Sequence, residues 1–133
     1  MLLIVDQELH QRGLNKLDEM GTNAQSAIKT DLARISPDMA RYAIETTCGD
    51  IYSRPGLEVK TREMVAVAAL TVLGSALPQL KIHVEAGLNI GCTKNEIEEI
   101  IIQMSVYAGW PAAFNAMAAA HEVFETHHNQ QSV

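Results

Sequence analysis

Apolar residues recur along this chain at spacings of three and four almost throughout, and no stretch alternates long enough to read as a strand. The pattern predicts an all-α protein. A first helix is expected over about 6–20, stopped by Gly21, and a second over about 23–35. "SPDM" supplies Ser36 as an N-cap and Pro37 at the first helical position of a third helix that ends near Cys48 and Gly49. The longest turn-rich connection, "GDIYSRPG", leads to a fourth helix over about 58–74. From Met64 to Leu73 every residue of it except Thr71 is apolar, which predicts a helix surrounded by protein. "GSALP" then turns the chain into the helix that carries His83, closed by Gly91. Thr93 and Glu96 have the spacing of a capping box, and Ile97, Ile100, Ile101 and Met104 follow at core-facing intervals. Gly109 ends that helix and Pro111 restarts the chain into a last one reaching about Glu125, beyond which the tail reads as frayed.

Composition narrows the setting. The 133 residues are 47% hydrophobic and 20% charged, enough to bury one ordinary core but with no room for a second domain. A net charge of −6 with no cluster of Lys and Arg argues against nucleic acid or an anionic membrane as partner. "MLLIV" is a short apolar run without a basic segment before it, expected to be neither a signal peptide nor a membrane span. Cys48 and Cys92 lie far apart and suit free thiols in a reducing cytoplasm as well as a single disulfide; free thiols are the preferred reading, and the protein is expected in the cytoplasm.

Candidate chemistry centres on two helices. Arg62 and Glu63 open the most apolar helix and His83 lies 20 residues on, in the next helix. Helices joined by a short turn run antiparallel, so the two side chains can face one crevice. Each also has an ordinary explanation. Glu63 is well placed near a helix start or beside Lys60 and Arg62, and His83, flanked on its face by Leu80, Val84 and Gly87, suits a partly buried core histidine. Tyr52, Arg54 and Lys81 are candidate carboxylate binders, and Glu99, Gln103 and Tyr107 fall at four-residue spacing along one flank of the capped helix, lining a pocket or the edge of the core. The methionines read as packing, and His127 with His128 as a solvated terminus rather than a metal site. No Walker loop, dinucleotide fingerprint, zinc spacing or nucleophile elbow is present, so neither bound nucleotide nor tightly held metal is expected.

Three blocks in this order, "RPGLEVKTREMVAVAAL", "QLKIHVEAGLNIGCTKNEIEEII" and "YAGWPAAFNAM", resemble the carboxymuconolactone decarboxylase family over most of the chain. The resemblance implies a single-domain alkylhydroperoxidase-D-like fold of about six helices, assembled as a homohexamer that is a trimer of dimers. The matching domain is 36–127, the helices of 1–35 are assigned to assembly, and 128–133 is the tail. The redox branch of the family carries a Glu, a Cys-x-x-Cys pair and a His. Glu63 and His83 resemble the outer members, but Ser75 and Pro78 stand where the two thiols would fall, and a disulfide reductase needs the pair.

The decarboxylase branch needs no cofactor. Its substrate, 4-carboxymuconolactone, receives the electrons released with CO2 into its own lactone carbonyl, leaving the protein to hold carboxylates, stabilise an oxyanion and protonate the dienolate. The resemblance gives the first task to Arg62 or Arg54, the second or third to His83, and leaves Glu63 to orient His83 or to donate the proton. Tyr52, Gln103 and Tyr107 complete the expected substrate contacts, with Gln103 where many such decarboxylases have a His. The alternatives are a thiol-dependent peroxidase of the peroxiredoxin type using Cys48 or Cys92 singly, and a helical assembly protein without catalysis.

Overall fold

A computed structural model describes the backbone of residues 6–131 and side chains through His128, so that "MLLIV" and the last two residues lie outside the described residues. Seven helices and no strand are found among the described residues. They divide between two compact units, Met1–Val59 and Lys60–Val133.

In the first unit, α1 (Gln7–Met20) begins where Asp6 Oδ1 accepts the Leu9 N–H at 3.0 Å and ends at Gly21, whose φ of 100° suits glycine. Helix α2 covers 22–35, with the wider π winding over Ser26–Leu32 between short α-helical ends. Helix α3 covers 37–51. It starts under Ser36, whose Oγ accepts the Met39 N–H at 3.3 Å, and turns into a π-helix over Ala43–Ile51, three residues past its expected end at Cys48. There the Tyr52 N–H reaches back five residues to the Thr47 carbonyl at 2.8 Å. Hydrophobic periodicity does not separate π from α winding over one or two turns, so neither stretch was legible beforehand.

Helices α1 and α3 meet through glycine. Gly13 lies against the Ile44 carbonyl and Gly49 against the Leu9 backbone, each so close that no side chain would fit. The same contact holds a buried carboxylate. Glu45 Oε1 is 3.0 Å from His10 Nδ1 and Oε2 is 3.2 Å from an Arg41 terminal nitrogen, so both oxygens have partners.

The second unit contains α4 (Val59–Leu73), α5 (Leu77–Asn89), α6 (Lys94–Ala108) and α7 (Trp110–Gln131). Its core is Val67 from α4, Leu80 and Val84 from α5, Ile97 and Ile101 from α6, and an alanine-rich stripe of α7 ending in Phe124. Small residues at Ala113, Ala116 and Ala120 let α7 pack closely along both α5 and α6. The capping box forms as its spacing predicts: Thr93 Oγ1 accepts the Glu96 N–H at 3.0 Å while Glu96 Oε2 accepts the Thr93 N–H at 2.8 Å.

Two expectations need correction. Helix α4 is not surrounded by this chain: only Glu63, Val67 and Thr71 are buried, one stripe at four-residue spacing, while Val65, Val72 and Leu73 are 57, 44 and 66% exposed. An apolar sequence shows which residues tolerate burial but not what covers them. The last helix runs to Gln131, well past Glu125 and through most of the tail expected to fray, because Phe124 is buried and His127 is tied to Asn89 beyond it.

Candidate active site

Glu63 sits one turn into α4, at the head of the buried stripe, and its side chain is 0% exposed. His83 lies in the middle of α5 between the buried Leu80, Val84 and Gly87, and 21% of its side chain reaches solvent. The two meet at 2.6 Å between Glu63 Oε2 and His83 Nδ1, the short distance of a hydrogen bond to an ionised group. With Glu63 as a carboxylate acceptor, His83 Nδ1 is the donor of this contact and Nε2 is the ring nitrogen left for other partners. Glu63 Oε1 is also buried and has no hydrogen-bond partner among the described residues. A buried oxygen of this kind costs about 1–3 kcal/mol unless a proton or a bound polar group satisfies it.

Behind the pair, Gly87 presents its bare face to both Glu63 and Cys92: a methyl group there would lie 3.8 Å from Glu63 Cβ and 3.4 Å from Cys92 Sγ. The Cys92 thiol points at the Lys60 carbonyl, 4.0 Å away. Burial pushes its pKa up, and the charge of Glu96 adds to the shift. Lys60 is occupied by Glu96 at 3.1 Å.

The other expected site residues fall in both units. Arg62 follows the same helix and is partly buried. Gln103 lines a cavity of about 330 Å³ with Glu99, Met64 and Ile100, a lining that includes neither Glu63 nor His83. Tyr107 is 70% exposed. Lys81 is held by Glu122. Tyr52 and Arg54 belong to the first unit, just past α3, with Arg54 exposed. Among the described residues no group of three metal-ligating side chains converges. Sequence reasoning missed the neighbourhood of Cys92 and Glu63 across Gly87, and missed the His10–Glu45–Arg41 cluster altogether. Arg41 and Glu45 of the latter stand at i and i+4, a signal that could have been read, whereas His10 lies 35 residues before Glu45 and no local spacing announces it.

The four-helix second unit thus presents a buried carboxylate behind a partly exposed imidazole. Residues 37–122 match the carboxymuconolactone decarboxylase family, and the chain belongs to that family. It is 34% identical over 121 residues to the 4-carboxymuconolactone decarboxylase of Acinetobacter baylyi, covering 90% of each chain. It is also 34% identical over 123 residues to an uncharacterized 15.0 kDa protein of Paracoccus denitrificans, covering 89% of this chain and 92% of the relative. A third relative, the nitrosuccinic acid decarboxylase of Metarhizium robertsii, is 33% identical over 73 residues, 55% of this chain and 50% of the relative. Two of the three are thus named as decarboxylases. Among the described residues no helix is long and apolar enough to cross a membrane.

Proposed function

We propose that this protein is a cofactor-free decarboxylase acting on a carboxylated lactone such as 4-carboxymuconolactone, with His83 as the group that moves the proton and Glu63 as the residue that positions it. The short Glu63–His83 contact, with the carboxylate sealed from solvent behind the ring, carries the reading. In such a substrate the C–C bond to the carboxylate breaks, CO2 leaves, and the electron pair passes into the lactone carbonyl as a dienolate. The dienolate carbon then takes a proton. His83 acts here as an imidazolium: with Nδ1–H held by Glu63 it gives its Nε2 proton to that carbon, is left as the neutral imidazole, and takes a proton back from solvent before the next turnover. A nitro group accepts electrons released with CO2 as a lactone carbonyl does, so the two named decarboxylase substrates share an internal electron sink. Arg62, partly buried beside Glu63 in the same helix, is assigned to a substrate carboxylate.

The thiol-peroxidase alternative is disfavoured, because both cysteines are buried and the thiol of Cys92 is shifted away from the reactive thiolate. Self-association, with a homohexamer as the assembly implied by the family resemblance, belongs to the same proposal and is supported by uncovered apolar side chains on α4 and by Val106, Tyr107, Trp110 and Phe114 at the α6–α7 corner.

The deciding experiment follows CO2 release from 4-carboxymuconolactone with the wild type and His83→Gln. Turnover that falls by about 10²- to 10⁴-fold in the variant, with the helical content unchanged, is expected for a positioned acid. No turnover by concentrated wild-type protein overturns the substrate, and a His83→Gln protein as active as the wild type overturns the role of His83.

A further inference from the structure

The second unit contains another pocket, of about 370 Å³, partly open to solvent and lined by the end of α5, the start of α6 and the far half of α7. Leu88, Cys92 and Phe124 form its apolar lining, and Lys94, His127 and His128 supply its polar groups. Phe124, His127 and His128 fall at i, i+3 and i+4 of α7, so they share one face of that helix. His127 is held in place by its Nε2, which donates to Asn89 Oδ1 at 3.2 Å. Lys94 is the informative member. Lys16, Lys29, Lys60 and Lys81 each hold a carboxylate, whereas among the described residues Lys94 holds none and instead rests its ammonium 5.2 Å from the centre of the Phe124 ring. A chain of net charge −6 therefore keeps one cavity whose lining carries a lysine, two imidazoles and no carboxylate.

We propose that this cavity is a second ligand site, separate from the Glu63–His83 pair, for a small organic carboxylate with an apolar body. The carboxylate meets Lys94 and the imidazoles, and the body covers Leu88, Phe124 and the Cys92 sulfur. The size is in the range of small-molecule sites. Lys94 is exposed, so an anion can reach its ammonium from solvent, and the half-buried Leu88 beside it offers apolar surface to the body of the ligand.

The test uses benzoate as probe, with calorimetry and peptide-resolved alkylation of Cys92 on the full chain. Benzoate is expected to bind once per chain and to slow alkylation of Cys92. Lys94→Gln is expected to weaken it by about tenfold or more, the worth of one charge-assisted hydrogen bond. Benzyl alcohol, of the same size and neutral, is expected to bind comparably more weakly than benzoate, a comparison that stands even if the variant folds poorly. His83→Gln is expected to leave benzoate affinity within about twofold. Absence of saturable binding, equal affinity for Lys94→Gln, equal affinity for the alcohol, or loss of binding in His83→Gln overturns the proposal, the last by assigning benzoate to the other site.

Discussion

Replacing Gly13 by alanine tests the close meeting of α1 and α3. The added methyl would stand 2.1 Å from the Ile44 carbonyl oxygen and 2.8 Å from its carbon, with the Ile44 Cγ2 at 2.9 Å. Ordinary contact between such atoms is roughly 3.5 Å, so α1 has to retreat from α3 by about 1 Å. The obstacle is backbone, which has no rotamer to change. Overpacking of a fitted interface costs about 1–3 kcal/mol, and the retreat also stretches the His10–Glu45 contact and the bond from Arg12 Nε to the Gly49 carbonyl, 2.9 Å long. Against this stands the higher helix propensity of alanine, about 1 kcal/mol at most. A net loss of about 2 kcal/mol or more is expected, read as a lower urea midpoint by circular dichroism with little change in slope. Gly56→Ala is the control: nothing lies within 4 Å of its new methyl, and its stability should stay within about 0.5 kcal/mol of the wild type. A Gly13→Ala protein as stable as Gly56→Ala would refute the reasoning.

Glu63→Gln keeps the volume and an acceptor for His83 Nδ1 but removes the charge, so kcat is expected to fall with the pH profile of kcat/KM displaced, and the double variant with His83→Gln should be little worse than the poorer single one. Thr93→Ala should cost about 1 kcal/mol of stability in urea denaturation through loss of the α6 cap. The Glu96 carboxyl is held below its usual range, first by the Thr93 N–H and then by Lys60. Its folded pKa is depressed, so its stabilisation is fully present above the ordinary carboxylate range and disappears as pH falls through the folded value; a Glu96→Gln protein should show a shallower acid loss of stability. Cys92 has the opposite sign. Its folded pKa is raised, so its contribution is complete below the ordinary thiol range and declines as pH rises through the folded value, and alkylation of Cys92 should be slow at neutral pH and speed up at alkaline pH. Sedimentation equilibrium at micromolar concentration should give an oligomer, and a monomer would remove the self-association reading.

Most helix boundaries could be read because each end is written locally. Ser36 with Pro37, Thr93 with Glu96, and Gly21, Gly91 and Gly109 at positive φ act within one turn of the chain, and the structure uses each as its spacing suggests. The candidate site was legible as two residue types on successive helices, because a charged Glu and a His inside apolar stripes need a reason to be there. Their 2.6 Å meeting was not, since it depends on how two helices rotate about their axes. As substrate contacts, Arg54 and Tyr52 came from the family resemblance and fall in the first unit, while Tyr107, from the same source, is 70% exposed in the second. Coverage of α4 was illegible too, since burial belongs to the neighbours and not to the strip of sequence being buried.

The Glu63–His83 pair is carried on the facing sides of two packed helices and not on loops. Enzymes that hold their reacting groups on loops can change substrate by lengthening or replacing those loops while the scaffold stays still. Here the backbone under the imidazole is also the wall of the core, with Leu80, Val84 and Gly87 around His83 and Val67 one turn beyond Glu63. Under the proposed function, a new substrate shape asks for simultaneous, volume-matched changes in residues that also stabilise the protein, so divergence of specificity on this scaffold should proceed through correlated core substitutions and only rarely through insertions.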